Sequence, residues 1–253
     1  MNSATNWSPF NFFNATSFTP HLPTTEIKCL DDGFVKLVDV MPRLVPEGRT
    51  VESAIVRSAR VSYGAGLKSK EEDDRLVRYL IKNAHTSPLE SVKFTFHIRC
   101  PVFVSMHLIR HRMSNINMFS QRYAEIKDDN FMHPTKVGNG IRGQSKTNKQ
   151  VGEIVITDET AIALVKETEE LLDKVIGNYH KMIELGVAKE VARFCLPQAT
   201  YTELYYTMDL NNLLKFWKLR DDSHTQYETR VIAHAMKELV RPLLPIVFET
   251  AGF

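Results

Sequence analysis

The sequence predicts a helix-rich α/β fold, built as one domain with an insertion loop. Two short stretches, 92–98 (VKFTFHI) and 200–208, alternate apolar and polar residues with the period of a strand. Around them, longer stretches repeat apolar residues at the helical period. No internal repeat and no low-complexity linker divides the 253 residues, a length that one large domain accommodates. With 43% hydrophobic and 25% charged residues, the composition is that of a soluble globular protein able to bury a core unaided.

Taken in order, residues 1–24 are rich in Asn, Ser, Thr and Phe, and lack the basic start and apolar run of a secretory signal. They read as a flexible extension. Its Trp7, Phe10, Phe12, Phe13 and Phe18 have the option of packing on the body or a neighbouring subunit. The tripeptides at Asn6 and Asn14 match a glycosylation pattern that needs a secreted context. The folded domain is expected over 25–253, with patterning that starts near Phe34. Val51, Ala54, Ile55 and Val61 give 47–61 a helical stripe, broken by Gly64 and Gly66. The run 68–75 (KSKEEDDR) reads as the solvated start of a helix whose acids sit in the first turns. After the strand at 92–98, Pro101 opens VFVSMHLI, apolar nearly all round and expected as a buried helix. Residues 127–153 are polar and loop-like.

A long helix over 158–185, stopped at Gly186, should place Ile162, Val165, Leu172, Val175, Ile176, Tyr179, Met182 and Ile183 in the core. A short helix covers 188–195 before Pro197. After the strand at 200–208, Asp209 caps a helix that runs through Arg220, and 225–241 forms another.

Composition removes several function classes. Thirty-two Lys+Arg against thirty Asp+Glu leave a net charge of only +2, so no global grip on nucleic acid or anionic membrane is expected. Cys29, Cys100 and Cys195 offer neither a disulfide framework nor metal-binding spacing. No run of about eighteen apolar residues is present to span a bilayer. A soluble, cytoplasmic protein is the expectation.

Three short patterns have ordinary explanations. Gly138–Gly143 spells GxGxxG, but neither a strand before it nor a helix after it is indicated, so a loop explains it better than a dinucleotide site. His107 and His111 share a helical face at zinc-binding spacing, yet Arg110 and Arg112 oppose a dication. Cys195 lies between Phe194 and Leu196 and reads as a buried structural thiol. The sharper signal runs from Arg110-His111-Arg112 to Ser120-Gln121-Arg122. One cation at a helix C-terminus is commonplace, but three adjacent groups, Arg-His-Arg, followed by short hydrogen-bonding side chains suit a nucleotide or phosphorylated cofactor, because guanidinium forks bind phosphate bidentately. His85-Thr86-Ser87-Pro88-Leu89-Glu90 and the Arg220–His224 pair, one helical turn apart if that helix continues, add to such a recess. Arg193 follows Glu190 at i+3, the spacing of a surface ion pair of little energy.

The stretch RHRMSNINMFS (110–120) resembles the signature of flavin-dependent thymidylate synthases. HTSPLE (85–90), EVAR (190–193) with Leu196-Pro197, LRDDSHTQYE (219–228), ARVSY (59–63) and FTFHI resemble further family segments, in family order over roughly 30–245. The resemblance implies an antiparallel-type sheet packed with several long helices. It also implies a homotetramer with shared active sites, FAD, and conversion of dUMP to dTMP. Methylenetetrahydrofolate would be the carbon donor, NADPH would reduce the flavin, and no cysteine nucleophile is needed.

By that resemblance, Ser87, Glu90, Arg110, His111 and Arg112 are expected to contact FAD. Ser120, Gln121, Arg122 and Arg193, with Arg110, would bind dUMP. Arg220 would be the catalytic cation that stabilises N3-deprotonated uracil, and Ser120 would position substrate rather than attack it. Met118 stands where many members carry Glu, leaving only its backbone for contact. His107 replaces a frequent Gln at the substrate. Asp209, Asn211 and Lys215 occupy an often Asn-rich flavin segment, and His224 joins the cofactor set. Two alternatives stay open: a folate- and flavin-using uracil methyltransferase acting on RNA, which the near-neutral charge disfavours, and a non-enzymatic nucleotide- or RNA-binding module.

Overall fold

The computed structural model of the protein describes residues 15–17, 22, 24–126, 131–138 and 140–253. Trp7, Phe10, Phe12, Phe13, Phe18, Asn6 and Asn14 of the expected extension lie outside them. Strands β1 (Ala15–Ser17), β2 (Glu26–Cys29), β3 (Gly33–Met41) and β4 (Leu44–Pro46) come first. β1 pairs antiparallel with β4, so part of the extension is tied to the domain by backbone hydrogen bonds. The central sheet is antiparallel throughout. Its order is β2-β3-β5-β9-β6, with β5 at Lys93–Pro101, β6 at Ser114–Met118 and β9 at Tyr201–Asp209.

Alternation decides which face is covered. Phe94, Phe96, Ile98 and Cys100 of β5, with Leu204, Tyr206 and Met208 of β9, are buried on one face. Helices α1 (Ser53–Arg60), α2 (Lys70–Lys82), α6 (Leu210–Arg220), α7 (Tyr227–Val240) and α8 (Pro245–Ala251) share one continuous core with that face. The opposite face carries His97, stacked on Tyr205 with centroids 5.0 Å apart and bonded to Glu203 at 2.7 Å.

The remaining helices are α3 (Val102–Leu108), α4 (Glu159–Glu184) and α5 (Lys189–Ala192). Caps follow the expected chemistry: the Ser69 hydroxyl accepts from the Glu72 amide, Asp158 from that of Ala161 at 2.9 Å, and Asp209 from that of Asn212 at 3.0 Å.

Several expectations are corrected. Strands β2 and β3 precede the helical stripe, and β3 buries Val35, Leu37 and Val40 on one face because an irregularity between Leu37 and Asp39 shifts its alternation by one residue. The stripe of α4 is core only at Ile176 and Tyr179; Ile162, Val165, Leu172, Val175, Met182 and Ile183 are half-buried. Helix α4 packs mainly on α5 and the turn after it, away from the sheet, so its apolar face is only partly covered. Helix α3 exposes Met106, so it is not buried all round. Asp73, in the run expected to be solvated, is buried and paired with Arg60 at 2.6 Å and Arg49 at 2.9 Å. The polar segment 127–153 is not structureless. It holds a hairpin of β7 (Arg142–Gln144) and β8 (Gly152–Val155). No helix among the described residues is long and apolar enough to cross a membrane.

Candidate active site

Pro101, with φ −58°, is extended enough to end β5 and start α3. The helix ends at Leu108, the chain turns through 109–113, and β6 then joins the sheet beside β9. This helix-to-strand reversal separates three residues that no continuous helix would bring to one face. Arg110 and Arg112 point outward and are exposed. His111 is half-buried, edge-on to Phe216 with centroids 4.8 Å apart.

Helix α6 delivers Arg220 to the same place from the far side of the sequence. Asp209 starts that helix, and Phe216 and Trp217 bury its inner face. Arg220, its last residue, donates from Nε to His111 Nε2 at 3.0 Å. That contact makes Nε2 an acceptor and leaves the ring proton on Nδ1. His107, one turn earlier on α3, has Nδ1 2.7 Å from the Thr229 hydroxyl of α7.

His107 and Arg220 border a cavity of about 500 Å³, to which Gln150, Lys218, Asp222, His224 and Thr225 also contribute, and His111 is tied to it through its bond with Arg220. Burial, and then the Arg220 charge, hold both His107 and His111 below the usual imidazole range; for His107, Glu228 works in the opposite direction and Arg110 in the same one. Burial also lowers the proton affinity of Arg220, but a guanidinium starts high enough to stay a cation. No ion pair among the described residues neutralises it, because Asp222 bonds to His224 at 2.7 Å and Asp221 to Lys237. The cavity lining therefore carries two cations, the exposed Lys218 and the half-buried Arg220, and of these Arg220 is the one held in place by an imidazole.

The other expected residues fall into two further groups. Ser87 and Glu90 lie on the short helical turn Ser87–Ser91, where Glu90 Oε1 accepts from the buried Asn211 amide of α6 at 3.3 Å. Asp209 is committed to capping α6 through both carboxylate oxygens, and Lys215 is exposed on that helix. Past β6, where exposed Met118 pairs with Leu204, Ser120 opens a turn that carries Gln121 and Arg122. Its Oγ accepts from the Arg122 amide at 3.4 Å, and its carbonyl from the Tyr123 amide at 3.1 Å. Arg122 Nε lies 3.8 Å from Glu190. Glu190 is thus turned to Arg122 rather than to Arg193, three residues along, which is exposed.

Helix α6 ends at Arg220, so His224 does not follow it on a helix. A loop brings both to the cavity instead. No cluster of metal-binding side chains exists among the described residues. Cys195 is half-buried against the Ala192 carbonyl, while the fully buried Cys100 and the buried Cys29 have thiols pushed up by burial, Cys29 to about 12. In the GxGxxG segment, Gly138 and Gly140 have φ of +64° and +105°, and Gly143 enters β7 rather than a helix.

Sequence reasoning missed Gln150, Glu228 and Thr229. Glu228 carried a signal: it continues the buried Ile232, Ala235, Leu239 stripe of α7 at i, i+4, i+7 and i+11. A carboxylate there implies a buried partner. Asp73 sits likewise before Val77 and Leu80 on α2.

Residues 43–246 match the family model described as "Thymidylate synthase complementing protein". The chain belongs to the flavin-dependent thymidylate synthase family. Family membership makes it an enzyme, a flavin-dependent methyltransferase. A flavin-dependent thymidylate synthase of Dictyostelium discoideum is 44% identical over 227 residues, covering 88% of this chain and 73% of that one. One from Thermus thermophilus is 41% identical, covering 88% and 76%. Among solved structures, the UMP/dUMP methylase PolB of Streptomyces cacaoi bound with 5-Br dUMP superposes with a TM-score of 0.71. It shares 27% identity and is covered over 96% of its length by 88% of this chain.

Proposed function

We propose that this enzyme converts dUMP to dTMP by reductive methylation, with methylenetetrahydrofolate as carbon donor, NADPH as reductant and FAD as hydride carrier. In balance, dUMP, methylenetetrahydrofolate, NADPH and a proton give dTMP, tetrahydrofolate and NADP⁺. The observation that carries the reading is the un-neutralised Arg220 cation, seated on neutral His111 at a nucleotide-sized cavity. A cation fixed in advance stabilises negative charge as it develops on uracil, which makes C5 the better nucleophile. His107, Ser120 and Gln121 would orient the nucleotide, and Arg110, Arg122 and Arg193 would take its phosphate.

The residues present fit FAD by their donor chemistry. Arg110 and Arg112 offer exposed guanidiniums for a pyrophosphate, and Ser87, Glu90, Asn211 and His111 offer polar groups for a ribityl chain or heterocycle. When bound, FAD supplies a store for two electrons. The assembly is read as a homotetramer with shared sites; exposed Met106, Ile109 and Met113 beside the arginines support a subunit contact there.

An anaerobic absorption spectrum of the FAD-loaded enzyme tests the reading. NADPH is expected to bleach the flavin bands, and dUMP with methylenetetrahydrofolate to restore them as dTMP forms. Failure to bind FAD overturns it. Recovery only with RNA as acceptor assigns a different substrate. Comparing UMP with dUMP as acceptor decides whether this chain has the substrate range of the Streptomyces UMP/dUMP methylase.

A further inference from the structure

Arg142 ties the β7–β8 hairpin to the start of α7. Arg142 Nη2 pairs with Glu228 Oε1, and its guanidinium lies 4.5 Å from the centroid of the Tyr227 ring. Glu228 is only 4% exposed, and its other oxygen accepts from Gln226 Nε2 at 2.9 Å, so both its oxygens are satisfied, one of them by a residue of the cavity lining. Two glycines make the space. A Cβ at Gly152 would stand 2.8 Å from Arg142 Cβ, and one at Gly138, where φ is +64°, 3.0 Å from Arg142 Nη1 and 3.1 Å from the Tyr227 ring. A hairpin whose glycines clear the volume around one arginine is built around that arginine.

The far end of the hairpin reaches the site. Its tip is braced internally: buried Ser145 Oγ accepts from the Asn148 amide at 3.0 Å, and Asn148 Oδ1 from the Gln150 amide at 2.9 Å. Gln144 Nε2 adds bonds to the Asn148 and Val151 carbonyls. Gln150 then lines the cavity beside His107 and Arg220. Of the two carboxamides on that wall, Gln226 is engaged with Glu228, while Gln150 keeps a donor and an acceptor for a ligand's amide edge. Glu228 and Thr229 are consecutive, so the helix start that holds Arg142 also holds His107.

We propose that Arg142 is a positioning residue, which seats the hairpin on Glu228 so that Gln150 forms a nucleotide-binding wall of the Arg220 cavity. The inference rests on the thymidylate synthase reading and adds a substrate contact to it. It is tested by steady-state dTMP formation at varied dUMP in the flavin-loaded full chain, with Gln150→Ala, Arg142→Ala and the double variant. Loss of a binding contact made equally in ground and transition states raises KM and leaves kcat alone. Gln150→Ala is expected to raise the KM for dUMP about five- to tenfold, the scale of one hydrogen bond, with kcat and flavin content kept. Arg142→Ala is expected to do at least as much, and the double variant no more than Arg142→Ala, because one residue acts through the other.

Unchanged KM in Gln150→Ala, or additive losses in the double variant, overturns the proposal. If Arg142→Ala loses flavin or fails to fold, Gln150→Ala alone decides, since that exposed tip residue is not needed for folding. A wild-type chain that forms no dTMP defeats the underlying reading instead, and is told apart by that result.

Discussion

Arg220 and Arg122 are held in opposite ways. Arg220 ends an eleven-residue helix, is half-buried, and is fixed by a 3.0 Å bond to a neutral imidazole. Arg122 rides on an exposed turn, 3.8 Å from the carboxylate of Glu190, which is itself exposed. A charge that must act on a developing anion gains most from being fixed and desolvated beforehand. One that captures a phosphate works by reach and by a fork, and tolerates mobility and solvent. The difference assigns chemistry to the rigid arginine and capture to the loose one.

The largest effect should come from breaking the rigid half. Arg220→Ala is expected to lower kcat by about 10²–10³-fold, the scale of one lost electrostatic stabiliser in an active site, while flavin content is kept. Single-turnover dTMP formation with pre-reduced enzyme measures this, and wild-type turnover sinks the assignment. Arg220→Lys should recover little, since an ammonium lacks the planar fork that meets His111.

Breaking the loose half should cost less and show up elsewhere. Arg122→Ala is expected to raise the KM for dUMP about tenfold, as for one charge-assisted contact, with kcat nearly kept. That contact should weaken as ionic strength rises, because exposed charges are screened. A loss in kcat equal to that of Arg220→Ala would erase the distinction between the two arginines.

This distinction was only partly legible in the sequence. The ends of α4 and α6 followed from Asp158, Gly186 and Asp209, and β5 and β9 from their alternation, because those signals are local. Strand β6 (SNINM) was not legible: it is a polar edge strand, and its place is set by pairing with β9, some ninety residues later. The arginines were all visible, but the bond that separates Arg220 from the rest joins residues 109 apart, and no spacing rule encodes it. Glu190 illustrates the converse, since helical spacing offered it Arg193 and the fold gave it Arg122.

Acidification probes the imidazole frame that only Arg220 possesses. Both His107 and His111 have proton affinities below the ordinary value of 6.5. As pH falls through that value, the unfolded rings take up protons before the folded ones, so the native state loses stability. The loss begins near 6.5 and is complete only below the folded values. Thermal midpoints followed from about pH 7.5 to about pH 5.5 should therefore fall more steeply for the wild type than for a His107→Gln, His111→Gln double variant. Parallel curves would mean that the frame titrates like free histidine.

The smallest effect belongs to Ser120, and it tests whether the loose half contains a nucleophile at all. The Ser120 hydroxyl accepts a long bond of 3.4 Å from the Arg122 amide, and no basic side chain within the described hydrogen-bond network activates it. A serine needs such a base to attack. Ser120→Ala should therefore loosen the turn that carries Gln121 and Arg122, raising the KM for dUMP about two- to fivefold, on the scale of a weak hydrogen bond. kcat should stay within about twofold of the wild type, because nothing made only in the transition state is removed. Steady-state kinetics of that variant separate the two roles. Abolished turnover with dUMP still bound would make Ser120 a participant in bond formation, and the exposed turn would then be part of the chemistry rather than a clasp for the phosphate.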